Sequence, residues 1–182
     1  MRFKYVFIAI LCICSLLTLL IFFTSVNFIP PVKGCTKTSY SQNDFLSPRN
    51  GHKHKGIDIF AKAGTPVISA TKGIVVYTGV FKLGGNIVLI MDPHLRYHYY
   101  AHLSEIGTHK FAIVEIGEEI GKVGNTGNAI HTPSHLHYSI SNPFKWYHYE
   151  VKDVKYTLHY LNPILLLNEY FDNKTKNKKL SF

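Results

Sequence analysis

Cysteine is scarce in this chain of 182 residues, with only three, at positions 12, 14 and 35. Cys12 and Cys14 fall inside an apolar run, which leaves Cys35 alone in the remainder. A domain with one cysteine holds no internal disulfide, so its stability must come from its core. Nor can cysteine supply a metal site there; any ligand has to be His, Asp or Glu. Acidic residues are also few, 11 against 20 Lys+Arg, for a formal charge of +9. That balance suits an anionic partner, whether cell wall, phospholipid headgroups or nucleic acid. The 13 glycines follow no fixed period and 46% of residues are hydrophobic, which excludes collagen-like and disordered chains. The length fits about one domain. What is plentiful is histidine: 11 residues, a density that points to metal or proton chemistry.

Residues 5 to 32 carry no charged side chain, and the 19 residues from Tyr5 to Phe23 are apolar except for Ser15 and Thr18. As a helix they would extend roughly 28 Å, close to the ~30 Å hydrocarbon core of a bilayer. Arg2 and Lys4 precede the run, so the expected orientation is cytoplasmic for 1–4, membrane-spanning for 5–25, and everything beyond outside. Ser25-Val26-Asn27 is a poor cleavage site and the apolar stretch is long for a signal peptide, which favours an uncleaved anchor. Val32-Lys33-Gly34-Cys35 only weakly resembles a site of cysteine lipidation. Residues 26–45, with Pro30-Pro31, read as a stalk.

From about 54 to 141 short β-rich runs alternate with glycine. Pro66–Ala70, Gly73–Thr78, Asn86–Met91, Arg96–Leu103 and Leu136–Ile140 are the clearest, with turn signals at Gly84-Gly85 and Asp92-Pro93. No helical period interrupts them, so the expectation is an all-β antiparallel sandwich or flattened barrel. The related stretches beginning at Gly64 and Glu115 resemble the β units of biotin or lipoyl carriers. Lys72 would then be the modified lysine, but its neighbours do not match and a solvated turn lysine is the plainer reading. Residues 143–161 form an aromatic, charged insert, read as a packed appendage, a dimer surface or a stacking rim for substrate. Ile164–Leu167 is a short closing helix or strand; residues 169–182 form a basic tail, whose stretch Asn173–Lys179, with four lysines, is expected to be disordered.

Three histidine patterns carry the chemistry. In His135-Leu136-His137 both imidazoles share one strand face while Leu136 faces the core. In His54-Lys55-Gly56-Ile57-Asp58 an extended backbone brings imidazole and carboxylate to the same side, and His102 ends a third β-rich run. Two neutral imidazoles and one carboxylate are the ligand set of an open catalytic zinc site, whose fourth position is left for water.

These motifs, with Gly64-Thr65-Pro66-Val67, Tyr100-Ala101-His102-Leu103 and Gly121-Lys122-Val123-Gly124-Asn125-Thr126-Gly127, occur in an order and spacing that resembles the lysostaphin-type (LytM-like) zinc endopeptidases of bacterial peptidoglycan, over about residues 45 to 141. The resemblance implies a domain over 46–168 with its core at 54–141. It implies Zn2+ held by His54, Asp58 and His137, with His102 and His135 as catalytic histidines beside the metal. Their work would be to orient and deprotonate a water whose pKa zinc lowers from about 15.7 to about 7, or to stabilise the oxyanion. The chain departs from the family pattern at Phe45-Leu46, where a glycine usually follows the phenylalanine. It departs again in a shortened Arg49–His54 segment, and in Thr132-Pro133-Ser134 where Gly-Pro is common.

The remaining histidines (52, 94, 98, 109, 131, 148 and 159) read as surface or packing residues, with His98 expected on the strand face of His102. The implied protein is a membrane-anchored hydrolase of peptide cross-links or stem-peptide bonds. It would be single-pass in the cytoplasmic membrane, with its catalytic domain facing periplasm or wall, open to a regulatory protein partner and without nucleic acid. The alternative is a catalytically inactive relative that binds the wall or regulates an amidase; such relatives lose site residues, and here all five positions are filled.

Overall fold

A computed structural model describes residues 2–23, 27–49, 51–152 and 154–180. A helix, α1, runs Arg2–Phe23, with Phe3, Phe7, Leu11 and Leu16 exposed along it. Counted over the described residues, no helix is long and apolar enough to cross a membrane. Among the described residues fourteen strands follow: β1 Pro48–Arg49, β2 His52–Lys53, β3 Ile57–Phe60, β4 Pro66–Ile68, β5 Gly73–Phe81, β6 Gly85–Met91, β7 Tyr97–Leu103, β8 Glu105–Ile106, β9 Ile113–Val114, β10 Glu119–Lys122, β11 His135–Ser141, β12 Tyr147–Val151, β13 Val154–Leu158 and β14 Tyr160–Leu161. One turn of 3-10 helix spans Gly127–Ala129, and α2 closes the chain at Pro163–Leu180.

The peptide chain beyond α1 is mostly β with antiparallel sheets, as expected, with α2 added at its end. Seven strands form one sheet in the order β14-β11-β7-β6-β5-β9, with β3 on the same edge of β11 as β14; three more form a smaller sheet, β4-β10-β8. A single buried cluster joins them, with Val67 and Ile120 from the small sheet beside Ile59, Val88, Tyr100, Leu136 and Tyr138 from the large one. On β11 the strand period separates chemistry from core. Leu136, Tyr138 and Ile140 are fully buried, while His135, His137, Ser139 and Ser141 line surface cavities. On β3 the same alternation buries Ile57 and Ile59 and turns Asp58 to the cavity side.

Three expectations need correction. Residues 27–45 lie on the domain rather than apart from it as a stalk: Ile68 N–H donates to the Pro31 carbonyl (2.9 Å), and Val32, Tyr40 and Phe45 join the core. Cys35 is half-buried among them, and burial pushes its thiol up to about 11. The tail is helical instead of disordered, because Ile164 and Leu167 seat the first turns of α2 in the core and the rest propagates from them.

The third correction concerns His98. Asn86 and Val88 on β6 oppose Leu103 and Tyr100 on β7, two steps against three, so β7 carries an extra residue and His102 adopts φ 63°. This bulge reverses the alternation, turning His102 to the cavity and leaving His98 on the core face. There His98 Nε2–H donates to Asp92 (3.2 Å) and its Nδ1 accepts from the Tyr138 hydroxyl (2.6 Å), a satisfied buried pair.

Candidate metal centre

Register places the candidate ligands. Asp58 on β3 pairs directly with His137 on β11, and His137 in turn pairs with Ala101 on β7. His54 lies just before β3, and Gly56 permits its approach. A Cβ at Gly56 would stand 2.6 Å from the Tyr138 carbonyl and 2.9 Å from the His137 ring, so no side chain fits there. Among the described residues, His54, Asp58 and His137 form the cluster able to hold a metal, their ligand atoms all within 4.8 Å of one another. His54 Nε2 is 2.9 Å from His137 Nδ1, His137 Nδ1 is 3.1 Å from Asp58 Oδ1, and His54 Nε2 is 3.3 Å from Asp58 Oδ1. Ligands about 2.0–2.1 Å from a tetrahedral zinc stand ~3.3 Å from each other, so this triangle and its N/N/O donors fit that ion.

The site also holds residues that the sequence reading did not pick out. Asp44, buried within the supposed stalk, accepts from His54 Nδ1–H at 3.0 Å and from the Asp58 backbone N–H at 2.6 Å. That bond fixes the His54 tautomer and frees Nε2 to face the other ligands. Arg49 bridges the two carboxylates, 2.7 Å from Asp44 and 3.0 Å from Asp58. Asp44 comes from the supposed stalk and Arg49 from the segment whose shortening was noted, and neither residue type marks itself in a stretch without periodicity.

The two other histidines stand beside the triangle. His102 Nδ1–H donates to the Thr126 carbonyl (2.9 Å) and His135 Nδ1–H to the Pro133 carbonyl (2.8 Å). Each bond occupies Nδ1 and leaves Nε2 available to the cleft, and His135 Nε2 lies 3.8 Å from Asp58. Their rings sit 5.1 Å apart, with His102 5.9 Å from His137. All five line an open cleft of about 610 Å3, together with Arg49, His52 and Tyr99. His52 thus borders the site; its sequence gave it only a surface or packing role.

Electrostatics sets the charge states. Burial works against Asp58 ionising, but His137 and His54 overcome it and hold the carboxyl well below its usual range. Burial likewise opposes charge on His54, yet the Asp44 and Asp58 carboxylates prevail and raise it to about 9. The anionic pair that favours a proton on His54 favours a divalent cation on the same grounds. His102 goes the other way, lowered to about 4 by burial and then by His137.

The profile of Peptidase family M23 matches residues 52–151, a stretch containing the whole donor triangle and both neighbouring histidines. The chain belongs to peptidase family M23. It is 42% identical over 94 residues to the L-Ala–D-Glu endopeptidase of Bacillus subtilis, covering 48% of this chain and 29% of that one. To the peptidoglycan DD-endopeptidase ShyA of Vibrio cholerae it is 39% identical over 87 residues, covering 48% and 20%. The chain spans less than a third of the length of these relatives. Among solved structures it is similar to the catalytic domain of lysostaphin from Staphylococcus simulans, with a TM-score of 0.52 and 30% identity over 56% of this chain and 78% of that one. The resemblance read from the motifs is therefore sound at the family level. Asp44 and Arg49, which support the donors from behind, precede the matched stretch of this M23 chain.

Proposed function

We propose that this chain is a zinc endopeptidase that hydrolyses peptide cross-links or stem-peptide bonds of bacterial peptidoglycan. The observation that carries the reading is the triangle of His54, Asp58 and His137 donors opening onto a cleft edged by the imidazoles of His102 and His135. Zinc bound there would supply Lewis-acid polarisation of the scissile carbonyl and a water acidified to a pKa of about 7. The protein's own part is to hold and move protons. His135 and His102, each oriented by a backbone carbonyl, present Nε2 to the cleft to accept a proton from the attacking water and return it to the leaving amine. Asp44 keeps His54 in the ligand tautomer, and Arg49 holds the far oxygen of Asp58. The names of the relatives support peptidoglycan as substrate.

The uncharged run from Tyr5 to Phe23 behind Arg2 and Lys4 supports attachment to the cytoplasmic membrane, with the peptidase domain outside. A purely wall-binding role would not require either free histidine.

Two variants separate binding from chemistry in the full chain incubated with purified peptidoglycan. Wild type should carry about one zinc per chain and release new peptide termini. His137→Ala should lose both, whereas His135→Ala should keep zinc and lose cleavage by about 100-fold or more. Zinc without cleavage by the folded wild type would favour the wall-binding or regulatory alternative.

A further inference from the structure

A second cavity, of about 390 Å3, adjoins the metal cleft, and Tyr99 and His137 line both. We infer that it is a carboxylate subsite, in which Lys55 receives an acidic group of the peptide being cut; this rests on the endopeptidase reading above. Besides His137 and Leu89, its lining is one cation, three phenols and two aliphatic hydroxyls, Lys55, Tyr97, Tyr99, Tyr160, Ser139 and Ser141, with no acid among them. Two surface lysines are ion-paired at 2.6 Å, Lys37 with Asp172 and Lys122 with Glu105, while Lys53, Lys110 and Lys145 lie over aromatic rings outside this cavity. Among the described residues Lys55 has no such partner; its Nζ lies 5.3 Å from the centre of the Tyr160 ring. An ammonium held against an aromatic face keeps its outer hydrogens for a ligand, and a carboxylate is the group that uses both the charge and the neighbouring hydroxyl donors.

The subsite is built before any ligand arrives. Tyr97, Tyr99, Ser139 and Ser141 project from the cavity face of β7 and β11, where register fixes them. Tyr160 pairs with Ser141 across β14 and β11. Tyr149, on the β12–β13 hairpin, clamps it: its hydroxyl donates to the Tyr160 carbonyl at 2.8 Å and accepts from Asn162 N–H at 3.0 Å. The Tyr149 ring meets Phe45 edge-on, 5.1 Å between centroids. The aromatic insert thereby acquires a purpose, since it braces the outer wall of this pocket. The position next to His137 means that a peptide with its scissile bond at the metal centre extends into the pocket within a residue or two, so an acidic residue flanking that bond would reach Lys55.

The test compares natural muropeptides with the same muropeptides whose carboxyls have been converted to carboxamides, using the zinc-loaded full chain. Wild type should prefer the carboxylate form by about five- to tenfold in kcat/KM, chiefly through KM. Lys55→Gln should cut both forms at similar efficiency, and Lys55→Arg should restore most of the preference. Affinity for both forms, measured calorimetrically on the His135→Ala chain, should show the same pattern without depending on turnover. A wild type that treats both forms alike, or a Lys55→Gln chain that keeps the full preference, overturns the subsite while leaving the endopeptidase reading intact. Selective binding without any cleavage would instead retain the subsite and remove the endopeptidase.

Discussion

In the proposed metal site, Asp44 shows how much depends on residues that would not touch the metal. Its carboxylate takes the Nδ1 proton of His54 and the backbone N–H of Asp58, so one side chain aims two of three donors. Removing it with Asp44→Ala should weaken zinc binding by about 10–100-fold, read by competition with a chelator. Asp44→Asn keeps an acceptor for His54 and should lose less. At this scale the sequence was legible where spacing encodes geometry. His135 and His137 share a face because strands alternate, and His54 and Asp58 because four extended residues restore the same side. Asp44 and Arg49 act across a hairpin whose register no local pattern reveals, and so stayed hidden. His52 borders the cleft through the short β1–β2 pairing and Tyr99 through pairing of β7 with the distant β11.

At the scale of elements, β3 and β11 define the site by meeting at Asp58 and His137, and Gly56 lets them close. Gly56→Ala would force a methyl against the Tyr138 carbonyl and the His137 ring. It should lower stability by about 1–3 kcal/mol in thermal unfolding and loosen zinc binding as the donors part. The long strands β5 and β6, rich in β-branched residues, the aromatic β7 and the alternating β11 were readable because continuous apolar or alternating residues announce a strand. Two-residue strands such as β8, β9 and β14 carry no such signal; the sheet they join creates them. The β7 bulge was equally unreadable, since an extra residue leaves no mark on composition, yet it decides that His102 and not His98 reaches the cleft. The hairpin β12–β13 was obscured by its mixture of charge and aromatic residues, which imitates a loop. In α2 the lysines suggested disorder, whereas two core contacts at Ile164 and Leu167 are enough to seat the helix.

For the molecule as a whole, the +9 charge sits on a fold whose interior is anchored by a few paired polar groups. Asp92 is fully buried as a side chain, 2.6 Å from Arg96 and 3.2 Å from His98. Burial opposes its charge, but His98 and Arg96 prevail and hold it at about 2. Because that value is below the unfolded one of about 3.9, the carboxylate contributes stability above pH ~4 that disappears as the pH falls towards 2. The contribution is on the order of 2 kcal/mol. Melting temperature should therefore decline through that window in wild type, and Asp92→Asn, less stable at neutral pH, should show a shallower acid decline. The segment 27–45 also belongs to this scale. Its prolines and polar residues resembled a linker, but Val32, Tyr40 and Phe45 are spaced apolar anchors that only a folded partner surface explains.

The most direct measurement is a titration of zinc into metal-stripped full-length protein while new peptide termini are counted from purified peptidoglycan. Cleavage should be absent at the start, rise in proportion to zinc, and level off at about one equivalent, with His54→Ala and Asp58→Ala failing to respond at that concentration. Cleavage that proceeds unchanged in the stripped protein, or a wild type that saturates with zinc and releases nothing, would contradict the assignment of His54, Asp58 and His137 as the metal centre of a peptidoglycan endopeptidase.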